Sequence, residues 1–584
     1  MKNIFIKLLV TIVVLSFNSC NNFLDEVPDN RTEIDNIDKV KSLLVSAYID
    51  KIPAAFLEPR TDGIIDHGAT AYGPMSSSFH YNYSAFMWEE YPSISSGEDA
   101  EQYWAASYSA IAATNHALEA IEKLGTPKES LVYKGEALLA RAHAHFSLLT
   151  IYSNFFDEKN KETNMGIPYV TKAEEVTNGQ YDRGTVASTI ELIKKDIDEG
   201  LKLSGETSDF LEPKFHFTHN AGLALALRVA LYERRYNDVI SLASNFFGEV
   251  SDYKKLYYGD KNPPEPILNQ DGSETLIPSP YDITFKMTGS LLYNWSYITD
   301  HSSGVDAIGI SFTNSDNENI ILASEPYSLL DRTSISNTTI RYTHSSNSFS
   351  EITGKNASGV EWKLPLYTIG SAATTHSPAF LPKSYEDFKT TDLNAGSGIP
   401  YIRYSTYRTE EILLARAEAY AMIGEYDKAL ADLTMFAQNR VQIEEPHEED
   451  EPVDDKALYA LAQYFYSRDK VVNFYETALS SKDHYLYNTF NDDRFVNNDP
   501  ESYEAKLQRG LVLSVLDARR MEFIYEGTRW FDILRWNIPV THTTSAGLTS
   551  TLTPDDNRRV VQVPETVTLS GLKKNPFQTS NTWK

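Results

Sequence analysis

The run Asp517-Ala518-Arg519-Arg520-Met521-Glu522-Phe523-Ile524-Tyr525-Glu526-Gly527-Thr528-Arg529-Trp530-Phe531-Asp532-Ile533-Leu534-Arg535-Trp536 is the densest motif of the chain. Arg519 and Glu522 stand three residues apart, as do Glu526 and Arg529, Arg529 and Asp532, and Asp532 and Arg535. On a helix this spacing lets opposite charges meet along one edge, while Phe523, Trp530, Phe531 and Trp536 bury around it. Gly527 is expected to break or cap the first of two helices. Glu522, Glu526 and Asp532 read more strongly as members of a buried or half-buried charge network docking the last helices than as catalytic acids.

Further upstream the chain shows helical periodicity. Between residues 98 and 155 one amphipathic pattern takes in Tyr103, Trp104, Tyr108, Ile111, Asn115, Leu118 and Ile121. A second takes in Leu138, Leu139, Ala142, Phe146, Leu149 and Tyr152, and Ala137, Ala140, Ala142 and Ala144 keep its surface thin enough for close helix packing. Helical spacing resumes at Val186, Ile190, Ile193, Ile197 and Leu201 after Gly166-Ile167-Pro168. An internal repeat appears when the chain is laid over itself. Tyr236, Val239, Ile240, Ala243 and Phe246 fall on Tyr426, Ala429, Leu430, Leu433 and Phe436, each set preceded by an Ala-rich helix and a short break. That is the helix-turn-helix order of a tetratricopeptide unit, with Gly424 at the second turn. The two units are far apart in sequence, so the solenoid is expected to be interrupted. The interruption, from about residue 251 to 400, is rich in Ser, Thr, Asn, Gly and Tyr, with strand-like pieces such as Ile308-Gly309-Ile310-Ser311-Phe312. Long irregular insertions on a rigid scaffold commonly carry function.

The chain has 584 residues, with 53 Lys and Arg against 81 Asp and Glu and a formal net charge of −28, a balance that disfavours nucleic acid as a partner. With 41% hydrophobic residues it is too apolar to be disordered. Part of the acidity lies in residues 444–455, whose eight carboxylates lack the glycine and ligand spacing of a calcium loop and read as a solvated connection. Cys20 is the only cysteine, which leaves no intramolecular disulfide and no thiolate-rich metal site. Lys2 and Lys7 precede an apolar stretch from Leu8 to Phe17, followed by Asn18, Ser19 and Cys20. This reads as a secretory signal ending at a lipidated cysteine, with Phe17 where a lipobox usually has Leu.

No His-Glu-x-x-His zinc motif, Gly-x-Ser-x-Gly elbow, phosphate-cradling loop or dinucleotide fingerprint occurs. His143 and His145 are two apart on a helix and point to different faces, and the pair His216 and His219 lacks a third ligand. No cofactor is indicated. Paired carboxylates for glycoside hydrolysis are too numerous to single out.

The 517–536 run resembles the carboxyl-terminal signature of the SusD/RagB family of outer-membrane nutrient-binding lipoproteins. It fits at Arg519, Arg520, Glu522, Phe523, Glu526, Gly527, Arg529, Trp530, Phe531, Asp532, Arg535 and Trp536, with Ala518 and Ile533 departing from the pattern. Cys20-Asn21-Asn22-Phe23-Leu24-Asp25 resembles the lipidated start. Trp104, Tyr108, Asn115, Gly135-Glu136-Ala137, Arg141-Ala142, Phe146, Gly166-Ile167-Pro168, Tyr401-Ile402-Arg403-Tyr404 and Ala417-Glu418-Ala419 match further blocks in order.

The resemblance implies a mainly α fold: a SusD-like helical scaffold with tetratricopeptide-type helix pairs and long irregular loop insertions containing short strands. The expected divisions are a signal peptide at 1–19, an N-terminal helical region at 20–250, a ligand-binding insertion at 251–400 and a C-terminal helical region at 401–584. It also implies a non-enzymatic role: a protein anchored in the outer membrane through Cys20, exposed at the cell surface, forming a lid over a SusC-type TonB-dependent transporter. Oligosaccharide is the first expectation for the ligand, because sugar C–H faces stack on aromatic planes. The alternatives are a peptide binder or an exported glycan-degrading enzyme. Candidate ligand contacts are Tyr72, Tyr81, Tyr83 and Trp88 in the early loop, and Tyr293, Trp295 and Tyr297 in the insertion. In extended segments, Tyr81 shares a face with Tyr83, and Tyr293 with Trp295 and Tyr297.

Overall fold

A computed structural model describes residues 34–68, 80–90, 98–173, 181–248, 404–438 and 466–576, with shorter pieces between 267 and 402 and residue 583. Cys20, Tyr72, Tyr293, Trp295 and Tyr297, the strand-like piece 308–312 and the acidic run 444–455 lie outside the described residues. The fold is mainly helical. Its helices are α1 (Ile37–Leu44), α2 (Ala54–Leu57), α3 (His80–Met87), α4 (Ala100–Lys123), α5 (Leu131–Tyr152), α6 (Val186–Leu203), α7 (His219–Tyr232), α8 (Tyr236–Phe247), α9 (Thr409–Ile423), α10 (Tyr426–Gln438), α11 (Arg468–Ser480), α12 (Tyr503–Glu522), α13 (Thr528–Arg535) and α14 (Glu565–Leu569). Side-chain caps mark several starts: Asp99 accepts from the Gln102 N–H at α4, Thr185 and Ser188 form a capping box at α6, and Ser467 caps α11.

Close helix contact in the amino-terminal half comes from small residues. Ala137, Ala140, Ala142 and Ala144 of α5 are buried, as the spacing predicts. At Gly135 of α5 an added Cβ would lie 2.6 Å from the Ser204 nitrogen and 2.7 Å from the Leu203 carbonyl carbon at the end of α6. Such contacts with backbone leave no room for any side chain.

The residues of the early blocks converge on one loop. The Tyr108 hydroxyl donates to the Pro168 carbonyl at 2.8 Å, and the Asn115 amide donates to the carbonyls of Val170 and Lys172. Arg141 donates to Asn115 and Thr171 and pairs bidentately with Asp196 at 2.7 and 2.8 Å. His145 accepts the Val170 N–H at Nε2 and faces the Arg141 carbonyl through Nδ1, which selects the neutral Nδ1–H tautomer. Burial lowers its pKa to about 3. His143, on another face of α5, contacts the Tyr407 hydroxyl at 2.9 Å, and burial followed by the charge of Arg228 likewise lowers it to about 3.

The repeat units are the pairs α7/α8 and α9/α10, and α8 packs directly on α9. The interruption in sequence is therefore not an interruption in space. Val239 and Ala243 of the first unit are buried, as are Tyr426, Ala429, Leu430, Leu433 and Phe436 of the second. At the end of the first unit Phe247, rather than the expected Phe246, is the buried ring, lying under the Arg416 guanidinium. Arg416 is fully buried; it pairs bidentately with Asp432 of α10 at 2.8 Å and donates to the Gly248 carbonyl at 2.7 Å, so one side chain joins both units.

Small two-stranded antiparallel sheets decorate the helices. Their longer strands are β1 (Ile64–Asp66), β2 (Ile320–Ser324), β3 (Tyr342–His344), β4 (Glu386–Asp392), β5 (Ser397–Ile402), β6 (Tyr404–Arg408), β7 (Val540–Thr543) and β8 (Thr549–Leu552), paired β1–β3, β2–β6, β4–β5 and β7–β8.

The 517–536 run forms α12, a left-handed turn and α13. Its charges are buried and network-forming as expected, but they do not follow one helical edge. Of the four i,i+3 pairs only Asp532 and Arg535 form an ion pair, at 2.8 Å. Arg519 reaches Asp532 across the turn at 3.0 Å, and Glu522 and Glu526 instead meet Arg408 of β6. Arg529 grips Asp62 bidentately at 2.9 and 2.8 Å. The turn is the reason: Gly527 sits at φ +72 and Tyr525 at φ +64, so the two helices diverge and their charges face other elements. Glu58 accepts the N–H groups of both, at 3.1 Å from Tyr525 and 3.0 Å from Gly527.

Candidate ligand-binding face

The early loop and the middle insertion share a root. β1 pairs with β3 in the register Ile64 to His344, Ile65 to Thr343 and Asp66 to Tyr342. The chain leaves β1 toward Tyr72, and the insertion returns through β3. Helix α3 packs on β3, and β7 lies beside β1. Asp66 ties this corner together, accepting from the Gly68 N–H at 2.9 Å and from the Ser545 N–H and hydroxyl at 3.0 Å.

Beneath the corner lies a stack of rings. His542 of β7 is sandwiched between Phe86 and Trp88, with centroids 4.3 Å away on either side and interplanar angles of 6° and 15°. Tyr342 lies 4.7 Å from Phe86, and Tyr83 meets Tyr342 edge-on at 6.1 Å. Trp583 lies 6.1 Å from both Phe86 and Trp88. Both nitrogens of His542 lie 2.8 Å from backbone carbonyl oxygens, those of Phe86 and Thr61. Burial lowers its pKa to about 4 against the opposing pull of those two carbonyls. Close by, burial pushes the Asp62 carboxyl up, but Arg520 and Arg529 outweigh it and hold the group far below the usual carboxylate range.

The candidate aromatics fare differently. Trp88 is 0% exposed, its indole N–H donates to the Arg60 carbonyl at 3.1 Å, and His542 occupies one ring face. It supports the face from below and offers no open plane to a sugar, which corrects the expectation of a ligand contact. Tyr81 and Tyr83 fall on helix α3 rather than on an extended segment. Positions two apart on a helix point about 200° apart, so the expected common face does not form. Tyr83 is half-buried at the edge of the stack. His542 and Tyr342 were missed because isolated rings in short strands carry no motif; the alternation of buried and exposed positions in Val540–Thr543 is the one signal that places His542 inward.

The paired histidines are separated by their partners: His216 contacts Glu136 at 2.7 Å and His219 contacts the Ser204 hydroxyl at 3.0 Å. Among the described residues no three His, Cys, Asp or Glu side chains gather as metal ligands, and no helix is long and apolar enough to cross a membrane.

Two family models match the chain. One, described as starch-binding associating with outer membrane, covers residues 22–231, and the other, the SusD family, covers residues 333–562. The chain belongs to the SusD/RagB family. Solved structures share its fold. A SusD superfamily protein from Bacteroides vulgatus superposes with a TM-score of 0.52 at 16% identity, covering 94% of this chain and 100% of that one. A candidate sugar-binding protein from the same organism gives 0.54 at 17%, covering 94% and 99%. A SusD superfamily protein from Bacteroides thetaiotaomicron gives 0.51 at 14%, covering 93% and 100%. No curated protein matches the sequence at a significant level.

Proposed function

We propose that this protein is a non-enzymatic surface lipoprotein. It captures nutrient oligomers, oligosaccharides first, and delivers them as a lid to a SusC-type TonB-dependent transporter. Cys20 carries the lipid anchor, and Tyr72, Tyr293, Trp295 and Tyr297, together with Tyr81 and Tyr83 of helix α3, are the aromatics that meet the ligand. The observation that carries the reading is the β1–β3 pairing, which roots the early loop and the middle insertion on one sheet within a chain of this family. Aromatic planes supplied from two loops over a rigid support suit the stacking and hydrogen bonding by which sugars are held.

An array of glycans and peptides probed with the lipid-free chain from residue 21 onward is expected to report oligosaccharide binding and no released hydrolysis products. Peptide binding alone would reassign the ligand, and product release without added enzyme would overturn the non-enzymatic role. The anchor is tested separately by fractionating cells that express Cys20→Ala. The variant is expected in the soluble fraction, and its retention in the outer membrane would remove Cys20 as the anchor.

A further inference from the structure

A concave surface elsewhere in the molecule shares no lining residue with the ring stack. It is a groove of about 810 Å³ bounded by the end of α5, the α7–α8 turn, residues 488–494, the end of α13 and residues 554–560. Its volume lies within the range of ligand sites in general.

The lining is chemically selective. Asn154, Asn488, Asn491, Asn537 and Asn557 face it, and none of these amide side chains has a hydrogen-bond partner among the described residues. Ser153, 1% exposed, also lines the groove, and its hydroxyl is buried without a partner. The Arg234 guanidinium likewise makes no hydrogen bond or ion pair among the described residues. By contrast Arg494 is paired with Asp492 at 2.6 Å, and Arg559 is spent on the carbonyls of Ile533, Ile538, Leu552 and Thr553.

The charge balance narrows the ligand. Carboxylates outnumber cations around the groove, which disfavours an anion, and they do not gather into a cation-binding set. Free amides present a donor and an acceptor together, which matches a hydroxyl that is also both. Phe155, half-buried at the wall, adds one apolar edge. We propose that this groove binds a short neutral oligosaccharide, at a site separate from the loop face and independent of the function proposed for it.

Two positions allow a clean test. Arg234 and Asn537 hold left-handed backbone, at φ +60 and +52, a conformation that glycine adopts without strain. Arg234→Gly together with Asn537→Gly therefore deletes both groups while leaving the backbone its preferred path. Hydrogen exchange of the lipid-free chain from residue 21 onward would be measured with maltohexaose, cellohexaose and mannohexaose, each alone. The expected result is slower exchange in segments 153–160, 488–494 and 554–557 with at least one of them. In the double variant that sugar should bind about tenfold or more weakly, with no fall in melting temperature. Protection confined to residues 80–90 and 540–552 would overturn the groove and leave the loop face standing. No protection with any of the three sugars, or unchanged affinity in the double variant, would equally overturn it.

Discussion

Asp532→Ala is expected to lower the stability of the chain by about 3–5 kcal/mol, the range for breaking a buried ion pair by removing one partner. Asp532 is fully buried and accepts from Arg519 at 3.0 Å and from Arg535 at 2.8 Å. Arg535 keeps Glu418 of α9 as a partner after the substitution. Arg519 does not: Asp532 is its only ion-pair partner among the described residues, and its Nη1 is already buried without a hydrogen bond. The substitution thus strands a guanidinium rather than deleting a neutral contact. Asp532→Asn, which keeps the shape and one acceptor, should lose less. The denaturant midpoint followed by circular dichroism measures the effect. A loss below about 1 kcal/mol, the ceiling for exposed pairs, would mean that the network is solvated and does not dock the last helices.

Mild acid should be nearly as damaging. His143, half-buried, and His145, fully buried, are neutral, with pKa values lowered to about 3 from the ordinary 6.5. Because the folded values lie below the unfolded one, the unfolded chain takes up protons first. The stabilising preference for the neutral rings is present in full above pH 6.5 and is lost as pH falls toward 3. At pH 5 each ring would account for a loss of about 2 kcal/mol, or about 4 kcal/mol for the two. Asp62, depressed by Arg520 and Arg529, adds to the loss only once the pH passes below the normal carboxylate range. Melting temperatures from pH 7 to pH 5 test this. The double variant His143→Gln, His145→Gln should melt lower at pH 7 and decline less steeply with acid. Equal slopes for the two proteins would remove these histidines as the cause.

Much of the scaffold was legible because it repeats or alternates. The stripes of α4 through α8 and the small surface of α5 follow from periodicity alone, and the helix-turn-helix pairs follow from the matched spacing at Tyr236 and Tyr426. Partners distant in sequence were not legible. The i,i+3 spacing at Arg519, Glu522, Glu526 and Arg529 suggested a continuous edge, whereas a left-handed turn at Gly527 sends those charges to Arg408, Asp62 and Asp532. Trp88 shows the same limit at the candidate site. A tryptophan among tyrosines in a polar segment is compatible with a ligand platform or with a core, and only the arrival of His542 and the Arg60 carbonyl decides for the core.

From the sequence alone came the helical class, the paired units, the insertion between them, the family and the special position of Cys20, since each rests on local spacing or on residue order. The tertiary structure decided which units touch, which charges pair, that β1 and β3 root the two loops together, and that free amides and Arg234 share one groove. These depend on segments hundreds of residues apart meeting in space. Local periodicity sets which face of an element is apolar, but it carries no information about which distant element will cover that face.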